Sequence, residues 1–292
     1  MSIIRTALKE QRPNLSDSSL RTYSSVLSNA YRCVYPKDES IEIKKFGNDA
    51  EFMKHIATMP HPSTLLAGLV VLTKNAEYQK AMNKKIVEHK SDEQNQTKND
   101  KQKESMIPKE EVQTTLTKLK VQADHIYKTK DTSAKAMNTL TNYILLCLSS
   151  GIYMEPRRSL DWTEMKIKNK DDALNFYDSK TGKFIFAKYK TAKVYGTQTD
   201  DVPKELKKIL DKWVKYNPTD FMLFNTKGGK LTSPNIATRL NEIFGKNIST
   251  SALRHIYISD KFKNMPSLKE LQETASAMGN SPMQVLAYVR KD

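Results

Sequence analysis

The stretch Phe184-Ile-Phe-Ala-Lys-Tyr-Lys-Thr-Ala-Lys193 decides how the chain folds. Its residues alternate in polarity with a period of two, and it is rich in aromatic side chains, which is the pattern of a strand with one buried face. Met165-Lys-Ile-Lys168 alternates in the same way. Gly182 marks a turn between an earlier strand and this one, and Gly196 separates it from Thr197-Gln-Thr-Asp-Asp-Val202. Outside residues 162–202 the apolar residues recur at helical spacing. The expected fold class is therefore mainly α with a small antiparallel β-sheet inserted among helices.

On the C-terminal side, Pro203 returns the chain to helix. Helices are expected over residues 205–215, 233–244, 249–262, 267–278 and 282–289, with Gly228-Gly229 as a turn. On the N-terminal side, Ile107-Pro-Lys-Glu-Glu111 has the features of a helix start, with acidic side chains against the positive end of the dipole. Helices follow over about 108–126 and 134–149. Gly151 ends the second of these, and Pro156 starts another. Earlier still, Leu20, Tyr23, Leu27 and Tyr31 form one helical stripe behind the capping candidates in Asn14-Leu-Ser-Asp-Ser-Ser19. A second apolar helix begins at Ser63, after the break at Pro60-His-Pro62, and its pattern runs towards Met82. The stretch from about Lys80 to Glu104 is Lys, Glu, Asp, Asn and Gln with almost no large apolar residue, so it is a long solvated helix or a mobile linker. These shifts divide the chain into a helical domain (1–82), a charged linker or extended helix (83–106) and a second domain (107–292).

Lys and Arg number 48 against 33 Asp and Glu, a formal net charge of +15. An excess of this size selects a polyanionic partner, because each neutralised phosphate releases counterions. The two cysteines, Cys33 and Cys147, have no ligand spacing with His55, His61, His89, His125 or His255, so neither a disulfide framework nor a metal site is expected. Cys147 sits in an apolar run and suits the core. No stretch has the apolar length of a membrane span, Met1-Ser-Ile-Ile-Arg5 lacks the core of a signal peptide, and no Gly-rich phosphate loop is present. No cofactor is expected.

Four motifs carry chemistry. Ser251-Ala-Leu-Arg-His-Ile256 supplies a guanidinium, which can bind two non-bridging phosphate oxygens at once. Ala277-Met-Gly-Asn-Ser-Pro282 is followed by Tyr288, about two helical turns on. The Phe184 stretch carries Lys188, Lys190 and Lys193 and is followed by Val202-Pro203. Ser150-Gly-Ile-Tyr-Met-Glu-Pro-Arg-Arg-Ser-Leu-Asp-Trp162 places Arg157 and Arg158 at a helix start, where a bound anion would offset their opposition to the dipole.

In this order the motifs resemble those of the tyrosine recombinases, the phage-integrase family, in a form akin to viral or mobile-element relatives. Leu253-Arg254-His255 resembles the family's His-x-x-Arg-His box, with Ser251 at the leading His position. Gly279-Asn280-Ser281 resembles its Leu-Gly-His-Ser motif, with Asn280 at the His position. Tyr189-Lys190-Thr191 resembles the hairpin that bears a Lys on a β-turn. Gly151, Leu160 and Trp162 match the family's Thr-Gly-Leu-Arg-x-x-Glu-Leu-x-x-Leu-x-Trp segment, but Tyr153 occupies its Arg position. Arg157 is then the first choice for that arginine and Arg158 the second. Leu15-Ser-Asp-Ser-Ser-Leu-Arg-Thr-Tyr23 resembles the opening of the family's core-binding domain.

The resemblance implies a helical N-terminal core-binding (DNA-clamp) domain over 1–82 and a tyrosine-recombinase-like catalytic domain over 107–292. It implies a site-specific recombinase or integrase that cuts and rejoins DNA through a 3′-phosphotyrosine intermediate on Tyr288. Arg254, with Arg157 or Arg158, would stabilise the transition state. Lys190 would be the general acid, His255 would assist proton transfer or orient the phosphate, and Asn280 and Ser251 would donate hydrogen bonds to it. The implied partners are double-stranded DNA and further copies of the chain, as a tetramer on synapsed DNA, with no membrane. The implied location is wherever DNA is, in cytoplasm, nucleus or virion. Two alternatives stay open: relaxation of DNA in the manner of a type IB topoisomerase, and a non-catalytic DNA-binding protein on a degenerate recombinase scaffold.

Overall fold

The computed structural model describes residues 2–94, 100–262 and 268–289, and the chain divides into two compact units, Met1–Asn95 and Gln96–Asp292. The first unit consists of helices α1 (Ile3–Gln11), α2 (Asp17–Val34), α3 (Asp49–Ala57), α4 (Ser63–Thr73) and α5 (Ala76–Gln94), with a 3-10 turn over Ile43–Gly47. The Ser16 hydroxyl caps α2 by accepting from the Ser19 N–H, which satisfies one of the unpaired amides of the first turn. Leu20, Leu27 and Tyr31 of the expected stripe are buried, and Tyr23 packs at its edge. Tyr31, Phe46 and Phe52 join ring against ring, and the Tyr78 hydroxyl donates to the Phe46 carbonyl at 2.8 Å. Lys74, in the left-handed region at φ 56°, separates α4 from α5. The charged stretch is helical to Gln94 and again in α6 (Asp100–Ser105), and residues 95–99 lie outside the described residues.

The second unit packs α7 (Lys109–Thr129) against α8 (Ala134–Ser149). Residues 143–149 of α8 are buried without interruption, Cys147 among them, so this helix is the axis of the core. The short helix α9 (Ser159–Thr163) brings Trp162 into that core. Three strands follow, β1 (Phe176–Asp178), β2 (Lys183–Phe186) and β3 (Gln198–Asp201), antiparallel and in that order across the sheet. The register sets Tyr177 opposite Phe184, and Phe184 opposite Asp200. Trp162 meets Phe184 and Phe186 edge-on at 5.4 and 5.6 Å, which fixes the inner face of the sheet. After β3 come α11 (Lys204–Tyr216), α12 (Ser233–Phe244), α13 (Thr250–Lys261), α14 (Leu268–Ala277) and α15 (Pro282–Leu286). The molecule is mainly α with one small antiparallel sheet.

Three local expectations change. Met165-Lys-Ile-Lys168 forms no strand of the sheet. Its backbone is shared between two neighbours, with the Lys166 N–H donating to Asn175 and the Ile167 N–H to Asp220. The link from β2 to β3 is not a simple β-turn. It contains a single helical turn, α10 (Ala192–Tyr195), closed by the Tyr189 hydroxyl on the Gly196 carbonyl at 2.7 Å. Finally, Pro156 does not start a helix. Residues 151–158 are irregular and α9 begins at Ser159, so Tyr153 and Arg157 share no helical face and only Arg158, the N-cap, adjoins its first turn. Tyr153 packs against the main core instead.

Gly151 opens that irregular segment. Its φ is +78°, and a Cβ there would lie 2.5 Å from the Tyr257 ring. A Gly151→Ala variant is expected to lose about 2–4 kcal/mol, from left-handed strain and overpacking together. Thermal unfolding of the two proteins would measure the difference.

Candidate active site

An open cleft of about 340 Å³ in the second unit is lined by Arg158, Lys190, Thr250, Ser251, Arg254 and Tyr288, with Gln284 at its side. Five of these come from the sequence motifs, and they reach the cleft from four separate parts of the chain. Ser249 caps α13 by accepting from the Ala252 N–H, and this starts the helix so that Thr250, Ser251 and Arg254 lie in its first turn and a half. The positive end of the α13 dipole therefore adjoins the cleft. Thr250 and Gln284 are among the lining residues that were not singled out from the sequence. Thr250 is buried beside Ser251, and Gln284 stands one turn before Tyr288, a spacing that could have suggested it.

Arg254 is only 2% exposed, yet its Nε and Nη2 have no hydrogen-bond partner among the described residues. Burial lowers its pKa from the ordinary arginine value, and the neighbouring charge of Arg158 acts in the same direction. Its Cζ sits 4.6 Å from the centre of the Tyr288 ring. A desolvated guanidinium with open donors next to a second arginine is a place prepared for an anion.

Tyr288 lies just beyond the end of α15, its N–H donating to the Val285 carbonyl at 3.1 Å. His255 does not line the cleft. Its Nδ1 is 2.9 Å from the Tyr288 carbonyl oxygen, and its ring meets the Tyr288 ring edge-on at 4.8 Å. It thus holds Tyr288 from behind. Tyr257 is also outside the cleft, where its hydroxyl donates to Glu155 and burial raises its pKa.

The two consecutive arginines part company. Arg157 is fully buried. Its Nε donates to Asp161 (3.0 Å), its Nη1 to Asp200 (3.1 Å) and to the Ala277 carbonyl (3.1 Å), and its Nη2 to Gln198 (2.9 Å). Its guanidinium lies 3.8 Å from the centre of the Phe186 ring. Burial raises the pKa of both carboxyls, and the Arg157 charge opposes that rise. Four of the five Arg157 N–H groups are taken up within the fold, and the side chain does not line the cleft. It ties α9, β3 and the end of α14 together.

Arg158 lines the cleft. Its Nη1 donates to the Gly279 carbonyl at 3.3 Å and its Nη2 to Asn280 Oδ1. The Thr191 hydroxyl, next to Lys190, reaches the same Gly279 carbonyl at 3.4 Å. Gly279 has φ +62°, and a Cβ there would press on Arg157 at 3.3 Å. Asn280 is buried and lines a neighbouring cavity instead of the cleft. No three His, Cys, Asp or Glu side chains gather to hold a metal ion among the described residues, and no described helix is long and apolar enough to cross a membrane.

No family model matches the sequence, and no curated protein is significantly similar to it. Solved structures do match in shape. A lambda integrase dimer (residues 75–356) bound to a COC′ core site has a TM-score of 0.52 at 13% identity, over 97% of this chain and 92% of that one. XerH site-specific recombinase bound to its difH substrate covers 92% of this chain and 74% of its own at 17% identity, with a TM-score of 0.46. XerA recombinase covers 99% and 94% at 12% identity, with a TM-score of 0.43. This chain shares the fold of the lambda integrase structure.

Proposed function

We propose that the chain is a DNA strand transferase of the recombinase or integrase kind, with Tyr288 as its nucleophile. One observation carries this reading: Arg254, buried with two open donors, shares a cleft with Tyr288, Arg158 and Lys190. The net charge of +15 and the likeness to a DNA-bound integrase support double-stranded DNA as the partner.

In this mechanism the scissile phosphate sits against Arg254 and Arg158. Tyr288 Oη attacks phosphorus, and the bond to the 5′ oxygen breaks. Lys190 gives its proton to that departing oxygen, and the phenol proton passes to solvent. The 3′-phosphotyrosine is then attacked by a 5′ hydroxyl of a partner strand, which rejoins the DNA and restores Tyr288. The two guanidinium groups stabilise the charge that develops on the phosphoryl oxygens. Ser251 donates a neutral hydrogen bond, and His255 keeps Tyr288 in place through its backbone carbonyl. Arg158, held by Asn280 and Gly279, is the second phosphate-binding arginine, and Arg157 is its structural support. No metal or nucleotide enters any step. Strand exchange requires more than one copy on synapsed DNA, a tetramer in this reading, with residues 1–82 as a core-binding domain that also contacts DNA.

The test is a nicked suicide duplex run on a denaturing gel. Wild type is expected to form a covalent protein–DNA adduct, and Tyr288→Phe none. An adduct that persists in Tyr288→Phe would remove Tyr288 as nucleophile. Salt-sensitive binding with no adduct would reduce the chain to a DNA-binding scaffold.

A further inference from the structure

Beside the phosphate cleft lies a second cavity of about 240 Å³. The turn at Gly279-Asn280 is its shared wall, since Arg158 of the cleft bonds to both residues. The chemistry of the two spaces differs. No cationic side chain lines the second cavity. Its walls carry Tyr195, Gln198, Gln272, Ser276 and Asn280.

Three amide side chains, Asn280, Gln198 and Gln272, line this one small cavity. Asn280 is 8% exposed, its Oδ1 is occupied by Arg158, and its Nδ2 has no partner among the described residues. A buried amide nitrogen left unpaired is costly, so a ligand acceptor at that point would be favoured. The Gln198 Oε1 accepts from Arg157, which turns the other end of that amide away from Arg157. Gln272 is exposed at the rim. Tyr195, half exposed on the α10 turn, offers an aromatic wall. The turn carrying it is anchored by the Tyr189 and Thr191 hydroxyls.

Such a set suits a neutral, planar ligand with hydrogen-bonding edges, not an anion. The volume is below the roughly 300–1,000 Å³ of ordinary small-molecule sites, so it suits a single ring system. We infer that this cavity receives one nucleobase, turned out of the duplex at a nucleotide next to the phosphate held by Arg158 and Arg254. The base would stack on Tyr195, and its edge would meet Asn280, Gln198 and Gln272. Stacking on an aromatic side chain and pairing with amides is how extruded bases are held in general. The inference rests on the DNA reading above.

The probe is a duplex with one unpaired adenine, compared with the fully paired duplex at one salt concentration. An unpaired base avoids the cost of breaking a pair, so wild type is expected to bind it about tenfold more tightly. Tyr195→Ala and Gln272→Ala are expected to abolish that preference and to leave affinity for the paired duplex unchanged. Both side chains are at the surface, and unfolding curves would verify that the variants fold. With 2-aminopurine at the unpaired position, fluorescence should change on binding wild type and not on binding Tyr195→Ala. Equal affinity of wild type for both duplexes overturns the inference and leaves the strand-transferase reading intact. A preference that survives in both variants also overturns it. A change in oligomeric state of the variants with no change in base preference would mean that the cavity seats a second copy of the chain, and overturns it as well. Absence of binding to either duplex would instead remove the DNA reading itself.

Discussion

Arg254→Met is expected to slow formation of the covalent DNA adduct by about 10²–10³-fold, the usual cost of removing one preorganised donor from a developing oxyanion. The same change should leave the melting temperature equal or raise it. Arg254 is buried with two donors unpaired, and burial already lowers its pKa. An apolar chain of similar volume removes that desolvation cost. Loss of rate without loss of stability is the signature of a residue held in place for a ligand. Single-turnover cleavage of the suicide duplex, beside a thermal melt, measures both. A rate within threefold of wild type would take Arg254 out of the chemistry.

Arg157→Met is expected to do the reverse in kind. It leaves Asp161 and Asp200 without their cation, and breaking a buried pair by removing one partner costs about 3–5 kcal/mol. For a chain of this size the melting temperature should fall by on the order of 10 °C. The sign of the pH dependence follows from the carboxyls. Burial already raises both pKa values and Arg157 opposes it, so its loss raises them further. A carboxyl whose folded pKa lies above its unfolded value, about 3.9 for Asp, favours the folded state below that value and disfavours it as pH rises through the folded pKa. The deficit of Arg157→Met relative to wild type should therefore be smallest in acid and grow towards neutrality. Urea melts at several pH values would show this. A deficit that does not change with pH would mean that the carboxyls find other partners. Arg158→Met, by contrast, should cost adduct formation and little stability, because among the described residues the Arg158 side chain bonds only to Asn280 and the Gly279 carbonyl.

The contrast between Arg157 and Arg158 shows where sequence reading stops. Most of the longer helices were legible because each has its own apolar period, and four of them are capped by Ser16, Ser133, Thr232 or Ser249, which accept from the first turn that follows. The Phe184 strand was legible from its alternation. Lys190, Arg254 and Tyr288 were named from a resemblance of motif order, and all three line the cleft.

The sequence also determined that two arginines stand together after Pro156. It could not say which one faces a ligand, because the segment is irregular and neither period applies. That choice is made by Asp200 and Gln198, more than forty positions along on β3, and by the Ala277 carbonyl at the end of α14. With Asp161 they take four of the five Arg157 N–H groups and hold that side chain away from the cleft, which Arg158 lines. The tertiary structure likewise put Asn280 on the wall of a second cavity, although its motif had suggested the phosphate. Local periodicity is written in neighbouring residues, whereas a side chain's partner depends on which distant segments the folded core brings beside it.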